Sequence, residues 1–281
     1  MYYSQWGLKE TPFRAGNAVE AFFPSVTHEE ALARLQFLVN HHHRCGLLVA
    51  ERGMGKSLLL SVLADELRQK WADVASVNLT GVSASEFPLL LATQLTSAPL
   101  SKLSQQQAWQ ALANRFGENH CEKRATLIAL DDADQAQPGV WDEVMRLIYS
   151  DRRTPTRLTV VCAIHPRATE KIPVGFHDMA LLRIEIEPWQ IEDTTAFLAS
   201  RIAAAGGDQK LFDEQAIARI QETAAGNPQR IVQLADLSLL VAAGEGTAQI
   251  DPQLVSKAAE QLWLAGLHET RGEVEGWVPC S

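Results

Sequence analysis

The sequence predicts an α/β fold in which a parallel sheet is covered by helices on both faces and is followed by a small all-helical region. Up to residue 187, short apolar segments alternate with amphipathic helical patterns. Segments that are apolar on both faces are typical of strands buried between two helical layers. Beyond residue 187 the helical periodicity continues without strand patterns, which indicates a separate helical domain.

Five strands and nine helices follow from this pattern. The strands are predicted at 46–50, 74–79, 125–130, 158–164 and 181–186. The helices among them are predicted at 28–40, 56–70, 86–95, 105–116 and 139–150. Glycine-containing breaks separate four further helices, at 190–205, 213–225, 228–243 and 252–265. We therefore expect a core domain with its N-terminal segment over 1–187, a helical domain over 188–266 and a flexible tail over 267–281.

The loop after the first predicted strand reads A-E-R-G-M-G-K-S and leads into an amphipathic helix. This layout is typical of a loop that holds a nucleoside triphosphate by its phosphates. Gly53 and Gly55 allow backbone conformations in which consecutive N–H groups turn toward an anion. Lys56 is expected to reach the terminal phosphates, and Ser57 is expected to bind Mg²⁺. The residues predicted to bind the nucleotide are Ala50, Glu51, Arg52, Gly53, Met54, Gly55, Lys56, Ser57 and Leu58.

Two carboxylates follow the third predicted strand. Asp131 and Asp132 come directly after the apolar run 127–130, at the end of the strand where parallel sheets bind ligands. Asp131 is expected to hold Mg²⁺, and Asp132 is expected to polarise the attacking water. Such sites usually carry Glu at the second position, and Asp is one methylene shorter. Because a misplacement of ~1 Å costs about a hundredfold in rate, slow turnover stays open beside fast hydrolysis.

Three further segments complete a family pattern. They read G-L-K-E-T-P-F over residues 7–13, P-S-V-T-H-E-E-A-L over 24–32 and G-N-P-Q-R over 226–230. Together with the phosphate loop and the acidic pair, they resemble the AAA+ ATPases. The narrower resemblance is to the ExeA/GspA group of bacterial secretion and pilus-assembly ATPases, to which the transposition helpers TniB and TnsC are related. It implies a five-stranded P-loop NTPase core, a C-terminal helical lid, ATP and Mg²⁺ bound between them, and assembly into rings or filaments.

The resemblance also implies roles for residues outside these motifs. His165 ends the fourth predicted strand, where the family places a polar group that senses the terminal phosphate. Arg152 and Arg153 lie where the family commonly has an arginine that reaches a neighbour's ATP; a solvated pair at a helix end is the alternative. Gln229 holds the position of the family's lid arginine, and Arg230 comes next. Since one residue turns a helical side chain by about 100°, the reach of Arg230 to the nucleotide stays open.

Composition limits the partner classes. The net charge of −9, without a dense Lys/Arg run, weighs against broad coating of nucleic acid. No apolar stretch approaches the ~18 residues that a membrane helix needs, and the first residues show no signal pattern. We therefore expect a cytoplasmic protein without membrane insertion. Its expected partners are further copies of itself and an unidentified protein, and DNA is a partner class that the composition does not favour.

Two functions of different class are consistent with these observations. The first is an ATPase of the secretion or pilus type that uses its nucleotide state to drive oligomer assembly and partner remodelling. Its catalytic groups are Lys56, Asp132, His165 and an arginine from a neighbour. The alternative is a nucleotide-gated scaffold with slow turnover, or a DNA-associated transposition helper, that recruits a partner protein. Asp132 in place of Glu and the displaced Arg230 motivate the alternative.

Overall fold

A computed structural model of the chain describes residues 2–13, 19–70, 72–96, 103–150 and 157–270. The chain divides into two compact units. One unit spans residues 16–187, and the other combines 1–15 with 188–281. Residues 1–15, which we assigned to the core domain from the sequence, therefore group with the C-terminal helices.

The unit of residues 16–187 is built on a five-stranded sheet in the order β2-β3-β4-β1-β5. Every neighbouring pair of strands is parallel. The strands are β1 (Cys45–Val49), β2 (Asp73–Asn78), β3 (Thr126–Asp131), β4 (Leu158–Ile164) and β5 (Ala180–Glu185). The predicted parallel sheet is confirmed, and each strand lies within one residue of its predicted bounds.

Helices cover both faces of this sheet. They are α1 (Val26–Asn40), α2 (Lys56–Gln69), α3 (Phe87–Leu95), α4 (Gln105–Cys121), α5 (Val140–Ser150) and α6 (Val174–Met179). One apolar core joins the sheet to α3, α4 and α5, and a second core joins its other face to α1 and α2. Alternate residues of a strand enter opposite cores: Leu47 packs with the first cluster and Leu48 with the second.

Burial of the strands explains their composition. The central strands β1 and β4 are buried along their whole length, and β3 is buried up to its last residue, Asp131. The outer strands β2 and β5 have exposed positions. Since all five strands run in one direction, their carboxyl ends meet at one side of the sheet, where α/β proteins bind ligands.

The second unit is helical. Its helices are α7 (Ile191–Ala204), α8 (Glu214–Ala224), α9 (Pro228–Glu245) and α10 (Pro252–Thr270). The N-terminal segment packs into this unit through Phe13, whose ring centroid lies 6.3 Å from that of Phe197 and 6.1 Å from that of Phe212. Across both units, no helix in the described ranges is long and apolar enough to cross a membrane.

Candidate functional site

The loop between β1 and α2 takes backbone conformations that require glycine. Gly53 has a φ of +83° and Gly55 has a φ of +86°, in the left-handed region that side chains disfavour. A Cβ added at Gly55 would also lie 2.8 Å from Nε2 of His28. Gly55 is the N-cap residue of α2 and has no side chain to satisfy the helix start. The sequence G-M-G-K thus gives the loop both its curvature and an uncapped helix behind it.

This loop presents backbone donors without protein acceptors. The N–H groups of Gly53, Gly55, Lys56, Ser57 and Leu58 make no hydrogen bond to any residue that the structure describes. The last of these groups lie in the first turn of α2, whose dipole adds partial positive charge. A cluster of unsatisfied N–H donors at a helix N-terminus suits an anion such as a phosphate. The residues present therefore fit a triphosphate.

Lys56 is folded back onto the loop. Its ammonium Nζ donates to the backbone carbonyls of Ala50 at 2.7 Å and Glu51 at 3.1 Å, and the residue is buried. Burial lowers the pKa of Lys56, against the opposing effect of nearby carboxylates, chiefly Asp132 and Asp131. The amine therefore bonds to neutral carbonyls in a setting that disfavours its charge.

The predicted metal ligands Ser57 and Asp131 lie together. Burial raises the pKa of Asp131, and the nearby Ser57 side chain partly offsets that effect. The described residues contain no group of three or more His, Cys, Asp or Glu side chains placed to hold a metal. A hydroxyl and one carboxylate still fit Mg²⁺, because this ion keeps several waters and takes further oxygens from substrate phosphates.

Asp132 has a partner that sequence reasoning missed. Its backbone is left-handed, with a φ of +47°, and its Oδ2 accepts a hydrogen bond from Nδ2 of Asn78 at 2.9 Å. Asn78 ends β2 and is paired in register with Asp131. The Asn78 amide therefore sets the orientation of the Asp132 carboxylate. The available signal was a polar residue at the end of a strand next to the one that ends in Asp131.

His165 contacts the phosphate loop through Glu51. Its Nε2 lies 2.6 Å from Oε2 of Glu51, and its backbone N–H donates to Oδ1 of Asp134 at 3.2 Å. The ring is partly exposed, as is the carboxylate it touches. The His165 side chain, directly after β4, therefore contacts the loop that follows β1.

Of the three predicted arginines, the structure describes Arg230. Arg152 and Arg153 are outside the described residues. Arg230 belongs to the C-terminal unit, in the first turn of α9, where its N–H donates to Oδ1 of the N-cap residue Asn227. The described site in the unit of residues 16–187 is therefore formed by the loop 50–58, the acidic pair, Asn78 and His165.

Comparison with known proteins fits this geometry. Residues 39–172 match the family model for an AAA domain, a range that runs from the end of α1 past β4 and includes the phosphate loop and the acidic pair. The chain contains an AAA domain. The predicted resemblance to AAA+ ATPases is thereby confirmed at the level of this domain.

Beyond the AAA domain, the chain is 24% identical to General secretion pathway protein A of Aeromonas hydrophila, over 95% of this chain and 51% of that protein. It thus spans about half the length of that curated relative. This distant homology confirms the narrower resemblance to the ExeA/GspA group.

Solved structures share the fold of the AAA domain and the helices after it. The ORC1 protein of Aeropyrum pernix, in complex with DNA, has a TM-score of 0.67 at 15% identity, covering 92% of this chain and 70% of ORC1. Cdc6p of Pyrobaculum aerophilum has a TM-score of 0.65 at 18% identity, covering 87% of this chain and 71% of Cdc6p. At these identities the likeness is one of fold.

Proposed function

We propose that the AAA domain binds ATP with Mg²⁺ at residues 50–58 and hydrolyses it. The observation that carries the proposal is the set of N–H groups around Gly53 to Leu58 that lack acceptors within the described chain. A triphosphate tail supplies those acceptors. Consecutive N–H donors at a helix N-terminus favour a ligand that is anionic and has several oxygens.

Each side chain of the site has a defined task in this proposal. Lys56 exchanges the loop carbonyls for phosphate oxygens, which form stronger charge-assisted hydrogen bonds. Ser57 and Asp131 would hold Mg²⁺, which neutralises negative charge on the phosphates when bound. Asp132 orients the attacking water and accepts its proton. Asn78 acts through Asp132, as a positioning residue.

The nucleotide state is proposed to control assembly and partner remodelling, as in a secretion or pilus ATPase. The homology to a general secretion pathway protein supports this class of role. His165 supports it as well, since its contact with Glu51 links the end of β4 to the nucleotide loop. An arginine of a neighbouring copy, with Arg152 and Arg153 as candidates, would complete the site. The partners are then further copies of the chain and a second protein.

A nucleotide-gated scaffold with slow turnover is the second candidate. The observation that favours it is the short Asp132 side chain, which is held by Asn78 at 2.9 Å and so has little freedom to approach a water. In this case ATP fixes a conformation that recruits a partner. A DNA-associated form is supported by the fold shared with the DNA-bound ORC1 protein and opposed by the net charge of −9. The two candidates differ in how far turnover depends on Asp132.

Calorimetric titration of ATP with Mg²⁺ tests the binding step. We expect uptake by the wild-type protein and affinity weakened by about ten- to a hundredfold in Lys56→Ala, because charged hydrogen bonds to phosphate are lost. Lys70→Ala is the matched control, since Lys70 is exposed at the other end of α2, and it should bind like the wild type. Absence of ATP uptake by the wild type, or full uptake by Lys56→Ala, would contradict the proposal.

A further inference from the structure

We infer that His28 is a positioning residue of the phosphate loop: by holding the Met54 carbonyl, it directs the Gly55 N–H toward the bound phosphates. The inference rests on the proposed nucleotide binding at this loop. His28 lies in the first turn of α1 and is 4% exposed. A polar ring this deeply buried needs hydrogen-bond partners on both nitrogens, and it finds them in the N-cap of α1 and in the loop.

The partners fix which nitrogen carries the proton. Nε2 of His28 lies 3.0 Å from the Met54 carbonyl oxygen, which can only accept, so Nε2 must donate. Nδ1 lies 2.7 Å from Oγ of Ser25, the buried N-cap residue of α1. In the neutral ring the Ser25 hydroxyl donates to Nδ1. A chain of two hydrogen bonds thus runs from the start of α1 through the ring to the loop.

The contact with the Met54 carbonyl fixes the direction of the Gly55 N–H. In a planar trans peptide the C=O and the following N–H point to opposite sides. Since the Met54 carbonyl points to the ring, the Gly55 N–H points away from it, on the side where it has no protein acceptor in the described chain. A hydrogen bond on the carbonyl also polarises the amide and strengthens its N–H as a donor.

The ring and the loop are matched in shape as well. The space that a Cβ at Gly55 would need is taken by His28, whose Nε2 would be 2.8 Å away. The ring of Phe22 packs edge-on against the imidazole, with centroids 6.2 Å apart. The imidazole is therefore held from two sides, with the Met54 carbonyl within hydrogen-bond distance of its Nε2.

Binding of ATP and of adenosine by His28 variants separates positioning from packing. Leu fills the space without a donor, whereas the Gln amide can donate to Met54 from near the place of Nε2. We expect His28→Leu to weaken Mg-ATP affinity about five- to tenfold, the effect of one hydrogen bond, and His28→Gln to restore most of it. Adenosine affinity, measured by competition, should stay unchanged in both. Val26→Ala, at an exposed position in the same helix turn, is the control.

The outcomes separate this inference from the nucleotide proposal. A wild-type protein that takes up no ATP overturns both. A wild type that binds while Lys56→Ala does not, together with a folded His28→Leu that binds ATP normally, overturns the positioning role alone. So does an equal loss in His28→Gln and His28→Leu, or a parallel loss of adenosine affinity. If His28→Leu does not fold, His28→Asn replaces it: its amide is too short to reach Met54, and affinity equal to that of His28→Gln overturns the inference.

Discussion

Both ends of the sheet hold charged groups that are largely shielded from solvent, and they differ in the partners that the described chain gives to those groups. At the amino end the partners of Asp73 include two guanidinium groups. There the Asp73 carboxylate, at the start of β2, accepts hydrogen bonds from Arg115 at 2.6 Å, Asn119 at 2.8 Å and Arg124 at 3.3 Å. At the carboxyl end, Lys56 donates to backbone carbonyls. The N–H groups of Gly53, Gly55, Lys56, Ser57 and Leu58 have no acceptor among the described residues.

The pKa values express this difference. Burial alone would raise the pKa of Asp73, but hydrogen bonds from Arg115 and Asn119 outweigh it and leave the pKa below its ordinary value. At the other end burial prevails, and it raises the pKa of Asp131 and lowers that of Lys56. The amino end therefore stabilises its own charges. The carboxyl end does not do so, and perturbed pKa values of this kind are characteristic of functional sites.

The largest effect is expected from Asp132→Ala. If Asp132 accepts the proton of the attacking water, its loss should lower the ATP turnover rate at saturation about a hundredfold or more. Asp73→Asn, at the opposite end of the sheet, should leave that rate unchanged at a temperature where both variants are folded. Steady-state phosphate release measures both rates. An Asp132→Ala rate equal to that of the wild type would favour the slow scaffold.

Asp73→Asn should have the larger effect on folding. Arg115 and Arg124 lose a carboxylate that is 13% exposed, so we expect the free energy of unfolding in urea to fall by about 2 kcal/mol. Glu122→Gln is the matched control: it removes the 2.9 Å contact with Arg124 from a side chain that is 52% exposed and should cost about 0.5 kcal/mol or less.

The depressed pKa of Asp73 also gives the pH dependence of its contribution. The stabilisation should be complete above the unfolded-state pKa of about 3.9 and should vanish as the pH falls through the lower folded-state value. Equal losses of stability in Asp73→Asn and Glu122→Gln would show that the Asp73 carboxylate contributes no more than an exposed ion pair.

The smallest effect, and one of opposite sign, is expected from Asp131→Asn. Because burial raises the folded-state pKa of Asp131, ionisation costs stability as the pH rises from the unfolded-state pKa through the folded-state value. Asn carries no such cost. The melting temperature of the nucleotide-free variant should therefore slightly exceed that of the wild type at neutral pH, and the gap should close in acid. A loss of stability in Asp131→Asn as large as that in Asp73→Asn would contradict the difference between the two ends of the sheet.

The elements that were predictable from sequence are those with a local signal. A buried strand, two glycines and Lys-Ser stand within one short window, so the loop 50–58 and its helix could be assigned without knowledge of the sheet. The strands were predicted for the same reason. Their order β2-β3-β4-β1-β5 depends on how the chain crosses between strands that are distant in sequence, and no short stretch of sequence contains that information. Helix α6, with six residues, is too short to show a helical period and was missed.

The site was only partly predictable, because several of its contacts depend on the folded topology. Asn78 acquires its role because β2 lies beside β3 and brings it to Asp132. His28 acquires its role because the first turn of α1 lies next to the loop and brings the imidazole to the Met54 carbonyl. The N-terminal segment could not be placed either, since its contact residues Phe197 and Phe212 lie far away in sequence.

Helix α1 fits against the strand and the loop at two points where a side chain is missing. Besides the contact of His28 at Gly55, a Cβ at Gly46 of β1 would lie 2.2 Å from Cδ1 of Leu38. The two helix residues are about 15 Å apart along the axis, so α1 lies against a glycine near each of its ends. A side chain at Gly46 would displace the end of Leu38, and one at Gly55 would displace the imidazole of His28 from its place beside the loop.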